Sequence, residues 1–528
     1  MKRYIRIIAS MLLGGAILGA CNGTDYDFSV CEMKVDRDAI VDVAAQNPGQ
    51  EAVVLTTTAP YWMVQTPDWI TPDATTGYGE QSIITFTIAS NFKNENTDMA
   101  ARSGEIKISG GMTSVIITVN QLGYTAPVDP DASIGGITDI DEFKDFVAAV
   151  NNGRKLSRWY NSDGEVELLT DIDLSDFTEW EPIGMPEKVT YGNNSLTYTG
   201  SAFKGKFNGG GHTISNFNLT AAVGKDAAVG FFGMLEGATV KDLTINGKMS
   251  ISATGAGSAG MLAGAMISTT VENVKVNADV EFKGTITSDR FATGGVVGFT
   301  YGTGDANSLI KDCVMTGNVN AVSGDGNTAN GATAAVYGGI TGFSTTPAES
   351  ANVIANCENN GKITASLGRC SGIVATAHAG TTISGCVNNA DQVNTFGDGR
   401  IGNIVSVIGT KGCIEDCINN GNLTTTTAKT TTGAIAALLN ESHVVIKGGR
   451  NNGTIIGGNT STIGLIAANF SKFSSVSGFT VSGKIGYYKE DGNHEMQDLN
   501  EGTYMKFIGK ITSANLAKVT DIKFEPAK

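Results

Sequence analysis

Cys357-Glu-Asn-Asn-Gly361, Cys386-Val-Asn-Asn-Ala390, Cys417-Ile-Asn-Asn-Gly421 and Gly449-Arg-Asn-Asn-Gly453 are copies of one five-residue pattern, and their spacing decides the fold. Extending the alignment adds Leu243, Val274 and Cys313 before them and Phe479 after them, at intervals of 31, 39, 44, 29, 31, 32 and 30 residues. A floor near thirty with occasional longer intervals marks a structural coil carrying loop insertions. Each coil also holds a small-residue run, such as Gly294-Gly295-Val296-Val297-Gly298, Gly338-Gly339-Ile340-Thr341-Gly342, Gly372-Ile373-Val374, Gly433-Ala434-Ile435 or Gly464-Leu465-Ile466, where adjacent backbones can approach closely. Such a coil, with two or three short strands and no helical period, cannot bury a face alone. Stacked at about 4.8 Å, successive coils pair edge to edge and share one core, which predicts a right-handed parallel β-helix.

Cys313, Cys357, Cys386 and Cys417 then fall in one column beside Leu243 and Val274. They are expected to face inward as stacked, reduced core residues and not as disulfides. The pairing of Cys31, Cys370 and Cys413 is not set by the sequence. The Asn-Asn pairs are expected to form turn ladders whose amides bond along the stack.

Working outward, the N-terminus carries Lys2, Arg3 and Arg6, an apolar stretch from Ile7 to Leu18, and Leu18-Gly19-Ala20-Cys21. The apolar stretch is shorter than the roughly twenty residues a membrane span needs, so residues 1–20 read as a lipoprotein signal peptide with Cys21 as the lipidation site. Its removal leaves 34 Lys plus Arg against 52 Asp plus Glu, a net charge of −18. That balance argues against nucleic acid as a partner and leaves the acyl chains as the membrane contact. Residues 21–28 form a polar tether. Residues 29–124 alternate in strand fashion between turn signals at Pro67, Gly77-Tyr78-Gly79, Ser103-Gly104 and Gly110-Gly111, which suits a β-sandwich. Residues 125–136, with Pro127, Pro130 and Gly135-Gly136, are a linker. Ile140, Phe143, Phe146, Val147 and Val150 recur at helical spacing, predicting an amphipathic helix that caps the open end of the β-helix. The β-helix is placed at 137–486 and a C-terminal cap at 487–528, covering an edge that would otherwise aggregate. The fold class is therefore all-β: a β-sandwich, then a parallel β-helix with a helical N-cap.

The first unit resembles the BACON family, immunoglobulin-like domains found in proteins of gut Bacteroidetes. The resemblance is carried by Tyr61-Trp62, Thr66-Pro67-Asp68-Trp69-Ile70, Asn91, Arg102-Ser103-Gly104 and Val119-Asn120-Gln121-Leu122-Gly123. It implies a sandwich that binds carbohydrate or mucin, or serves as a spacer. Tyr61, Trp62 and Trp69 are the candidate ligand residues, with core packing the expected use of both tryptophans.

The opening coils resemble GLUG-motif β-helices through Asp171-Ile172-Asp173-Leu174, Trp180-Glu-Pro-Ile183-Gly184, Phe203-Lys-Gly-Lys-Phe207-Asn-Gly-Gly-Gly-His212-Thr-Ile214 and Gly230-Phe-Phe-Gly233. This resemblance implies display at a surface and no chemistry. Tyr191 and Tyr198, in the insertion Met185 to Gly200, are further candidate ligand residues. Gly284–Phe291 and Ser323–Tyr337 are long loops expected to project side by side.

Polysaccharide lyases and hydrolases also use β-helices, so catalytic carboxylates must be sought. Asp171 and Asp173 alternate with Ile172 and Leu174 and read as one exposed strand face. His494-Glu495-Met496-Gln497-Asp498 begins like a zinc-protease motif, but Asp498 stands where the second histidine belongs. With four histidines in the chain, no metal or other cofactor is expected. The expected function is a non-enzymatic, lipid-anchored adhesin of the outer membrane, exposed at the cell surface, that binds glycan, mucin or a host surface protein. A polysaccharide-cleaving enzyme and a structural spacer are the alternatives.

Overall fold

The computed structural model describes residues 31–94, 99–124, 133–177, 179–285, 290–323, 335–347, 351–427, 429–458, 463–489, 493–511 and 516–526. The signal segment, Cys21, the tether, linker residues 125–132 and the middle parts of both long loops lie outside the described residues. The chain divides into two compact units, Met1–Pro127 and Val128–Lys528.

The first unit has nine described strands: β1 Met33–Val35, β2 Ala39–Val43, β3 Gln50–Thr57, β4 Trp62–Gln65, β5 Ile70–Pro72, β6 Thr76–Gly77, β7 Gln81–Ile88, β8 Arg102–Gly110 and β9 Thr113–Gln121. They form two sheets, β1-β3-β7-β5 and β2-β9-β8-β4-β6. Alternation sends Val53 and Leu55 of β3, Ile84 and Phe86 of β7, Ile106 and Ile108 of β8, and Ile117 and Val119 of β9 into one shared core.

The second unit is a parallel β-solenoid. Two of its sheets contain eight strands each, and a third runs the length of the unit with up to three short strands per coil. Register alignment makes columns. One runs Val166, Phe207, Val240, Val271, Ile310, Ile354, Ile383, Ile414, Ile446, Val476 and Val519. A second begins Ile172, Ile214, Ile245, Val276, Met315, then turns polar as Asn359, Asn388, Asn419 and Asn451, and closes on Val481 and Phe524.

The first asparagine of each repeated pair is thus inside the solenoid, and the second is outside. Buried Asn359 donates to Asn388 (2.8 Å), Asn388 to Asn419 (3.0 Å) and Asn419 to Asn451 (2.8 Å). Each also donates to the carbonyl two residues ahead in its own coil. The exposed ladder runs the opposite way, with Asn389 donating to Asn360, Asn420 to Asn389 and Asn452 to Asn420. Bonding both inward amide hydrogens is what permits polar side chains in an apolar column. Glycine follows because the coils are in contact: a Cβ on Gly361 would lie 1.9 Å from the Gly317 carbonyl oxygen, and one on Gly339 2.0 Å from that of Gly372.

Cys313, Cys357, Cys386 and Cys417 are buried and free, as expected, and burial pushes the first three thiols well up. Each hydrogen-bonds the carbonyl two residues before it. Cys370 and Cys413 are also free. Immediately before the column stand Asp242, Asn273, Asp312, Asn356 and Asp416 with φ between 49° and 54°, replaced by Gly385 (φ 61°) and Gly478 (φ 67°). The left-handed turn costs Asp, Asn and Gly least. Their side chains link coils too, Asn273 to Asp242 (2.6 Å) and Asn356 to Asp312 (3.0 Å).

The cap helix, α1 Ile140–Asn151, starts at Asp139, whose carboxylate accepts the amides of Asp141 and Glu142. Phe143 stacks on Phe231 and Trp180, and Phe146 meets Trp159, Phe203 and Phe207. The aromatic residues of the GLUG-like stretch therefore line the seat of this helix. Glu142 holds it by accepting from Arg158 (2.7 and 3.1 Å) and from Trp159 Nε1 (2.8 Å). At the other end the tail adds a partial rung, Lys518–Thr520 and Lys523–Phe524 pairing parallel with Ser475–Ser477 and Thr480–Val481. His494–Met496 is a strand antiparallel to Gly486–Tyr488, a geometry with no zinc-protease helix.

Replacing Asn419 by Leu leaves the Asn451 Oδ1 and one Asn388 amide hydrogen buried without partners, and should cost about 2 kcal/mol. Asn420→Leu, on the exposed ladder, should cost well under half of that. Calorimetric melts of the two variants compare them directly, and equal losses would contradict the inward assignment.

Candidate functional site

Most of the BACON-like signature is spent on holding the sandwich together. Asn91 is buried and donates to the carbonyls of Ala100 (2.8 Å) and Leu122 (3.1 Å). Arg102 donates to Gln121 Oε1 (2.8 Å) and to the Ala89 carbonyl (2.6 Å), while Gln121 donates to the carbonyls of Ala44 and Ala89. The Arg102 guanidinium lies 4.3 Å over the half-buried Trp69 ring, which itself covers Gly104. Trp62 is 3% exposed, packs over Gly77 and donates Nε1 to Ser82 Oγ (3.2 Å). Both tryptophans therefore serve the fold.

Tyr61 differs. Strand β4 lies between β8 and β6, with Trp62 opposite Gly77 and Met63 opposite Ser109. Continuing those registers, one step toward β6 and two toward β8, puts Tyr61 between Tyr78 and the Gly111–Met112 turn. Tyr61 is 47% exposed, Tyr78 81% and Met112 76%, so one end of the sandwich presents two phenol rings and a thioether to solvent. Sequence reading found Tyr61 and missed Tyr78 and Met112. The available signal was a large apolar residue placed within a glycine turn.

Tyr191 and Tyr198 lie on a β-hairpin, Pro186–Tyr191 with Leu196–Gly200, that the sequence reading treats as a polar loop. The hairpin lies against the outer side of the solenoid, and with Met234, Ala265, Phe299 and Phe343 it forms a separate apolar cluster. Tyr191 packs on Phe299, donates to the Ala227 carbonyl (2.7 Å) and shares a hydrogen bond with Ser258 (2.8 Å). Tyr198 donates to Glu236 (2.6 Å), and partial burial beside that carboxylate pushes its phenol up to about 12. Both hydroxyls are committed to the fold.

The carboxylates weighed for catalysis are structural as well. Asp171 accepts from the Thr213 amide (2.9 Å) and faces His212 Nδ1 (3.1 Å), and Asp173 accepts from Asn216 (2.8 Å) and the Ser175 amide (2.9 Å). These hydrogen bonds hold both carboxyls below the usual range. Each ties one coil to the next. Among the described residues no three His, Cys, Asp or Glu side chains converge as a metal site. The long loops leave and rejoin the solenoid at neighbouring register positions, Gly284 beside Ser323 and Phe291 beside Ala335.

Within the sandwich, residues 61–122 match the family model BACON, described as "Putative binding domain, N-terminal". The chain is also similar to a solved Bacteroides ovatus protein described as a putative immunoglobulin A1 protease, at 16% identity and TM-score 0.34, over 69% of this chain and 78% of that one. A Bacteroides ovatus GH5 xyloglucanase, solved with a XXXG heptasaccharide, matches at 13% identity and TM-score 0.15, over 35% of this chain and 36% of that one. No curated protein matches the sequence.

Trp62→Ala should destabilise the sandwich by about 3–5 kcal/mol, and Tyr78→Ala should change its stability by no more than about 0.5 kcal/mol. Hydrogen exchange of the β7 and β8 amides reads the difference. Equal effects would mean that Tyr78 is part of the core.

Proposed function

We propose that the protein is a non-enzymatic binding lipoprotein of the cell envelope, and that it engages glycan or mucin through the exposed end of its BACON-like sandwich. The observation that carries this reading is the grouping of Tyr61, Tyr78 and Met112 at one end of a module whose family is described by binding. Exposed apolar groups gathered at turn tips mark contact surfaces, and phenol rings supply rigid amphipathic area at small entropic cost. The solenoid contributes a long body of stacked parallel coils. Anchoring at Cys21 and display at the outer-membrane surface belong to the same proposal and rest on the lipobox-like sequence.

A glycan and mucin array probed with residues 22–528 tests the binding claim. Tyr61→Ala and Tyr78→Ala should each lose the signal that uncharged glycans give with the parent chain while melting at the parent temperature. Retention of that signal in the double variant, or its absence with the parent, would sink the assignment. Cys21→Ser expressed from the full sequence should move the protein from the membrane fraction to the soluble one. Unchanged fractionation would remove the anchor.

A further inference from the structure

Beneath the hairpin, one outward register column runs Met234, Ala265, Phe299 and Phe343, and continues past it as Thr376 and Val407. The hairpin tip is fastened at that boundary. Thr345 Oγ1 donates to the Asn193 carbonyl (2.8 Å), Arg290 donates to Asn193 Oδ1 (3.2 Å), and His378 Nδ1 lies 3.0 Å from Asn194 Oδ1. Beyond the tip, Arg369 and Arg400 stand directly opposite each other on adjacent parallel strands. Arg369 reaches Thr376 Oγ1 (3.2 Å), and the Arg290 guanidinium lies 4.2 Å over the Phe343 ring.

This grouping is unusual in a chain of net charge −15. Among the described residues no ion pair includes Arg290, Arg369 or Arg400. The Nε atoms of Arg290 and Arg369 are buried without a hydrogen-bond partner among those residues. Burial, reinforced by the charges of Arg290 and Arg400, lowers Arg369 to about 9, and burial lowers Arg290 to about 10. Glu441 is the carboxylate whose charge reaches His378, and it accepts a hydrogen bond from Thr410. Like charges opposite one another on adjacent strands destabilise a sheet, and a buried guanidinium donor without an acceptor costs more than a neutral one. The fold thus holds a like-charge arginine pair that a bound anion would relieve.

We propose that Arg369 and Arg400, with Arg290 and His378 at the hairpin tip, form a site for an oxyanion group on an acidic glycan, either a sulfate ester or a sugar carboxylate. The glycan as carrier rests on the binding function proposed above, whereas the oxyanion site stands on the arginines alone. Guanidinium groups match both oxyanions through paired N–H donors.

The test is calorimetric titration of residues 22–528 with inorganic sulfate, dextran sulfate, polygalacturonate and neutral dextran. Dextran sulfate or polygalacturonate should bind, dextran should not, and the stronger of the first two identifies the group recognised. Arg369→Gln and Arg400→Gln should each weaken binding at least about tenfold, the loss of one charge-assisted pair. Arg400→Gln should melt no lower than the parent, because it removes a like-charge repulsion. Tyr61→Ala should leave this affinity unchanged, which separates the site from the sandwich surface. Binding of inorganic sulfate without either acidic glycan overturns the glycan carrier. Undiminished binding by Arg400→Gln, or no oxyanion binding by the parent, overturns the site.

Discussion

Everything in the second unit follows from one spacing. Parallel strands hydrogen-bonded coil to coil hold successive backbones about 4.8 Å apart, so each side chain lies against its equivalents above and below. A residue is tolerated inside only if it packs or bonds with its neighbours in the column. Branched aliphatics satisfy this through contact, as from Val240 to Ile446. Asparagine satisfies it at Asn388 and Asn419 through an amide that donates onward and accepts from behind. Glycine appears where even a methyl would strike the preceding coil's carbonyl, as at Gly361 beneath Gly317. The three residue types answer one steric requirement.

The same repetition leaves a problem at the ends, where the first and last coils present an apolar cross-section and free strand edges. The N-terminal end is closed by α1 laid on a bed of phenylalanine and tryptophan, locked by Glu142 against Arg158 and Trp159. The C-terminal end is closed differently. An antiparallel hairpin at Ile485–Tyr488 and His494–Met496 turns the chain aside, and a partial rung carrying Lys518 and Lys523 meets solvent. Large rings suit the seat of a helix because they span the gap between a cylinder and a coil.

How much of this is legible depends on whether a feature repeats. The cysteine column and the asparagine ladders were readable because Cys357, Cys386 and Cys417 keep intervals near thirty, and α1 because its apolar residues keep helical spacing. The left-handed turn before the column was also repeated. It was hidden because Asp, Asn and Gly alternate there, a class defined by backbone torsion and not by hydrophobicity. The hairpin at 186–200 occurs once, and its partners Phe299 and Phe343 lie more than a hundred residues away, so no local pattern marks it as a cover. Arg369 and Arg400, 31 residues apart, were in the repeat all along. Their outward register needed the coil phase that only the pairing supplies.

Both units separate residues that make the fold from residues that face the surroundings. In the sandwich, the signature side chains Trp62, Trp69, Asn91, Arg102 and Gln121 bond or pack with one another or with backbone, which leaves them little to offer a ligand. The side chains left facing solvent there sit at turn tips outside the core alternation, where change is tolerated. The solenoid obeys the same division with a stricter geometry, since alternation assigns every second residue outward and stacking aligns those residues across coils. A surface built this way presents side chains at a fixed step along one direction. That geometry favours a ligand that is itself extended and repetitive over one that is compact, and it is the physical reason to look for chain-like molecules on the solenoid.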